Sequence, residues 1–95
     1  MPFVEQMANI GSEVERALNW RAKQEPEYSQ KALERAFELM DLTLENVKGF
    51  PRLKEVARLR EVVADHFYGE NAFGSTEKGF RKYFFAFALA ARKDR

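Results

Sequence analysis

The sequence predicts an all-α protein, an antiparallel four-helix up-and-down bundle. Three observations lead there. Apolar residues recur at spacings of three and four along almost the whole chain, and clusters of β-branched residues are scarce. Three short breaks, marked by proline or glycine, cut that pattern into four segments of roughly 16–20 residues. Connections this short favour neighbours that run in opposite directions. Residues 1–95 are read as a single helical-bundle domain, a length near the lower end of what folds unaided.

The first helix is expected over Phe3–Lys23. Phe3, Met7, Ile10, Val14, Ala17, Leu18 and Arg21 share one face at about 100° per residue. The sequence Gln24-Glu25-Pro26-Glu27 stops it, because proline lacks an amide hydrogen and biases its predecessor towards extended geometry. The second helix is expected over Glu27–Val47, with Ala32, Leu33, Ala36, Phe37, Leu39, Met40, Thr43, Leu44 and Val47 inward. Glu34, Glu38, Asp41 and Glu45 form an acidic row opposite. Its first half, EYSQKALERAFELMD, resembles part of a tetratricopeptide repeat, but no second copy follows at a period of about 34.

Lys48-Gly49-Phe50-Pro51 ends the second helix, and Pro51 suits the first turn of a third, expected over Arg52–Tyr68. Its stripe is read as Leu53, Val56, Ala57, Val63, Ala64 and Phe67. The longest loop spans residues 69–75, and Ser75 or Thr76 can cap a fourth helix over Glu77–Lys93. Phe80, Tyr83, Phe84, Phe87, Ala90 and Ala91 form the core stripe of that helix.

The composition excludes several chemistries. The chain has no cysteine, hence no disulfide framework, thiolate nucleophile or cysteine-based zinc site. One histidine cannot make a multi-histidine metal site within one chain. No metal and no cofactor are expected. No run approaches the ~18 apolar residues of a membrane span, so a cytoplasmic protein without membrane contact is expected. The net charge of +1 conceals an asymmetry: residues 1–47 carry 5 basic and 9 acidic side chains, residues 48–95 carry 11 and 6. Two solvated faces of opposite sign explain this, as does a basic surface for an anionic partner such as RNA or a nucleotide.

Positions that break the pattern are the more informative ones. Phe85 and Leu89 lie one turn apart, roughly 150–180° from the core stripe of the fourth helix. A lone chain would leave them exposed, and adjacent exposed apolar residues mark a partner surface. Trp20 also lies off its stripe. Phe85, Leu89 and Trp20 are therefore expected at an interface with a second copy or a helical protein partner. Arg60 breaks the pattern in the opposite sense, projecting into the stripe read for the third helix. An unpaired buried guanidinium is costly, so Arg60 pairs with a carboxylate, reaches out to solvent, or lines a polar cavity. His66, the only histidine, falls at the edge of that stripe.

The run Arg60-Glu-Val-Val-Ala-Asp-His66, continued by Phe67 and Tyr68, resembles the Arg…His-x-Tyr pattern of the HEPN family of prokaryotic helical bundles. The resemblance implies a bundle that dimerises. It implies, for the ribonuclease branch, metal-independent RNA cleavage by arginine and histidine from two subunits. Other members bind nucleotides or partner a small nucleotidyltransferase in toxin–antitoxin pairs. Carried over, Arg60 would hold the scissile phosphate, His66 would move the proton, and Tyr68 would support the substrate or the histidine. Two expectations follow: a non-catalytic dimeric or partner-binding module, and a HEPN-like nucleotide-binding protein or ribonuclease.

Overall fold

The computed structural model describes residues 2–93, and these form four α-helices with no strand among them. α1 is Phe3–Ala22, α2 Pro26–Asn46, α3 Phe50–Tyr68 and α4 Glu77–Lys93. The expected boundaries hold to within two residues. α3 starts earlier than expected because Gly49 takes φ 92°, which lets the chain turn sharply into Phe50 and Pro51. Pro26 opens α2 rather than preceding it, since a proline suits the first helical position. Thr76 caps α4: its hydroxyl accepts the Gly79 amide at 3.0 Å.

α1 lies at the centre of the packing. Met7, Ile10, Gly11, Val14, Ala17 and Leu18 are buried because α2 covers one flank and α4 the other. α2 contributes Ala32, Leu33, Ala36 and Met40 to the same core, and α4 contributes Phe80 and Phe84. Two polar residues are buried among the described residues, and both are satisfied: the Ser29 hydroxyl donates to the Ala17 carbonyl of α1 at 2.9 Å, and the Thr43 hydroxyl to the Leu39 carbonyl at 2.8 Å.

The pairs across each seam fix the register. Between α1 and α4, Asn19 accepts from Arg81 at 2.9 Å, Phe84 lies on Gly11, and Phe3 meets Phe87 edge to face at 6.2 Å. Between α2 and α3, Arg60 reaches Asp41 and Tyr68 donates to Gln30. α3 and α4 are different. No Cα of α3 comes within 8 Å of a Cα of α4. The rings of His66 and Phe80, 5.1 Å apart, bridge that gap instead.

α3 corrects the sequence reading. Its buried residues are Val56, Leu59 and Val63, whereas Leu53 is 40% exposed and Ala57 is exposed. The inward stripe is thus turned by about one position from the one expected. Arg60 therefore does not aim at the core. Its side chain is 44% exposed and lies against α2, which removes the cost a mid-core charge would carry. Arg21 likewise ends outside the core, with its guanidinium 5.3 Å from the centre of the Phe67 ring.

Candidate functional site

The expected catalytic trio divides between two faces of α3. Arg60 Nε donates to Asp41 Oδ1 at 2.8 Å, and its guanidinium lies 5.1 Å from the centre of the Phe37 ring. Tyr68 stacks against the same ring, with centroids 6.1 Å apart, and its hydroxyl donates to Gln30 at 2.9 Å. Arg60 and Tyr68 thus converge on Phe37 at the outer α2–α3 surface, among Glu34, Glu38 and Asp41. An anionic phosphate would meet three carboxylates there.

His66 faces the other way, into the α3–α4 gap. It sits half-buried, edge-on to Phe67 and Phe80, and its Nδ1 is buried without a hydrogen-bond partner among the described residues. Six residues on an α-helix turn through about 600°, so Arg60 and His66 point about 120° apart. One chain does not bring them together. No cluster of three or more histidine and carboxylate side chains among the described residues could hold a metal ion.

The α3–α4 gap is a groove of about 570 Å³ that the sequence reading missed. Leu59 and Val62 of α3 face Phe80 and Tyr83 of α4 across it, with Lys54 and Arg58 on the rim. Burial, and after it the nearby Glu55 carboxylate, pushes the Tyr83 phenol well above its ordinary range. The stripe read for α3 concealed this groove, because it placed Leu53 and Ala57 inward in place of Leu59 and Val62.

The expected interface residues are not equivalent either. Phe85 is 60% exposed and Leu89 38% exposed, side by side on the outward face of α4. They edge a groove of about 650 Å³ between α1 and α4, whose α1 wall includes the small Ala8, Gly11 and Ser12 beside the larger Val14, Glu15 and Leu18. Trp20 lies elsewhere, at the turn between α1 and α2. Its ring stacks on Tyr28 with centroids 4.7 Å apart, and the Lys23 ammonium lies 5.2 Å from it. Trp20 therefore has partners within its own chain, which its offset from the α1 stripe alone could not reveal.

Fold and surface together define a small all-helical protein with an unpartnered aromatic–aliphatic strip on its fourth helix. Among the described residues, no helix is long and apolar enough to cross a membrane. Comparisons with family models, with curated proteins and with solved structures return no match to this chain.

Proposed function

We propose that the protein is a non-catalytic helical-bundle module that binds a protein partner, a second copy or another helical protein, through the outer face of α4. The observation that carries this reading is Phe85, an aromatic side chain 60% exposed beside the exposed Leu89. Exposed aromatic and aliphatic neighbours over a groove are the usual core of a recognition patch. The helices run alternately up and down, in accord with the order of the cross-helix pairs, and this arrangement puts α4 at an outer corner.

A pull-down with the tagged chain tests the reading. Wild type should retain a partner, its own untagged copy included, and Phe85→Glu and Leu89→Glu should lose it. Phe73→Glu, at an exposed aromatic on the α3–α4 loop, should retain it. Equal retention by all four proteins would sink the proposal.

A second reading, a HEPN-like nucleotide-binding protein or metal-independent ribonuclease, draws support from Arg60 and Tyr68 sharing the Phe37 ring. It needs His66 from a second copy to meet Arg60. RNA cleavage in EDTA that Arg60→Ala abolishes would replace the first reading with this one.

A further inference from the structure

The α4 surface specifies more than stickiness. Lys78, Lys82, Phe85, Leu89 and Arg92 are all exposed, and their spacing of four, three, four, three is that of a coiled-coil seam. The seam has two apolar residues at its centre and cations at both ends. The groove it borders is lined by four basic side chains, Lys78, Arg81, Lys82 and Arg92, against one acidic one, Glu15. Glu15 already faces Arg81 at 3.8 Å. Lys78, Lys82 and Arg92 make no ion pair among the described residues. Three cations thus stand unpaired around an apolar centre.

That pattern discriminates between occupants. A symmetric pair of copies would use the same patch on both chains. With two α4 helices crossing antiparallel at Phe85 and Leu89, Lys82 of one chain would face Arg92 of the other. With the helices parallel, each cation would face its own counterpart. Both arrangements set like charge against like charge, which opposes association. A membrane surface would satisfy the cations, but the patch offers it only two apolar side chains, set beside a concave groove. An interfacial helix instead presents a broad apolar face.

We infer that the α1–α4 groove receives an acidic amphipathic helix from a different protein. Its apolar residues fill the space beside Phe85 and Leu89, and its carboxylates lie opposite Lys78, Lys82 and Arg92. The small Ala8 and Ser12 side chains on the α1 wall let the incoming helix approach closely. The inference rests on the proposed binding role of the α4 face and adds the identity of the occupant.

Two designed helical peptides of about 21 residues, three heptads, separate the two levels. They share the same leucine positions, and the seam flanks are glutamate in one and lysine in the other. Fluorescence anisotropy is read on the full chain. The acidic peptide should bind at least about tenfold more tightly than the basic one, and added salt should narrow the gap. Lys82→Glu combined with Arg92→Glu should reverse the preference, and Phe85→Glu should weaken both peptides. Equal binding of both peptides, lost in Phe85→Glu, would overturn the acidic-helix inference and leave the binding role of α4 standing. Binding of neither peptide would overturn the inference; the pull-down then decides the binding role on its own. Light scattering that shows a dimer, or a mass growing with concentration through the acidic α2 face, would overturn it in favour of a second copy. Binding to anionic vesicles but to neither peptide would overturn it in favour of a lipid surface.

Discussion

α4 meets α1 and α3 in opposite ways. Against α1 it lays Phe84 on Gly11 so closely that a β-carbon there would come within 2.6 Å of the Phe84 ring and 2.7 Å of its Cβ. Against α3 the backbones stay apart, and ring contacts and a groove of about 570 Å³ occupy the space between. The difference comes from side-chain volume at the seam. A residue with no side chain lets two helices close up. Phe80, Tyr83, Leu59 and Val62, flanked by charged Lys54, Glu55 and Arg58, hold the other pair open.

Gly11→Ala is the sharpest way to break the tight seam. Alanine favours helix by about 1 kcal/mol over glycine. The added methyl collides with the Phe84 ring and with the Phe84 Cβ, and no side-chain rotation can withdraw the Cβ. Overpacking of this kind costs about 1–3 kcal/mol, occasionally more, so net destabilisation and a lower Tm are expected by circular dichroism. A higher Tm would mean that the seam relaxes freely and the contrast between the seams is false.

His66→Phe probes the open seam and should act in the other direction. A phenyl ring keeps the edge-on contact with Phe80 and removes a buried nitrogen that has no partner among the described residues. Relieving an unsatisfied buried polar atom is worth about 1 kcal/mol or more, so urea unfolding should show a gain in stability. A loss would show that Nδ1 finds a partner that a phenyl ring cannot replace.

The smallest effect concerns Tyr83. Its phenol ionises less readily in the folded chain than in the unfolded one, whose value is near 10.0. The folded state thus holds its proton where the unfolded state releases it, and stability falls as pH climbs past 10.0. Tyr83→Phe should flatten that fall in urea titrations between about pH 9 and pH 11. Identical slopes would mean that the groove wets Tyr83 fully.

These contrasts also mark where sequence reasoning succeeds. Pro26, Gly49 and Pro51 punctuate the chain through backbone geometry alone, so the helices can be located without knowing their neighbours. α1 and α4 each carry an unambiguous stripe, and the exposure of Phe85 and Leu89 follows from α4 being apolar on two sides. The stripe read for α3 includes Val56 and Val63, which are buried, but it takes Leu53 and Ala57 inward where the structure buries Leu59. Its packing partners decide which flank of the stripe turns inward, and α3 is the helix with an open side. That stripe aims Arg60 at the core, whereas Asp41, 19 positions earlier, holds it at the surface. No local pattern announces such a partner. The same holds for Trp20, whose stacking on Tyr28 depends on the turn geometry around Gln24, at φ 59°.

The contact between Gly11 and Phe84 also bears on how the chain acquires its shape during synthesis. It joins the first helix to the last, so about 70 residues separate the two sides of the tightest seam. α1 and α2 can pair as soon as both have left the ribosome. The Gly11 flank of α1 stays uncovered until α4 follows, and transiently bare apolar surface of this kind recruits chaperones or neighbouring chains. The residue that lets the finished bundle close most tightly must therefore wait for most of the chain to be made before it meets its partner.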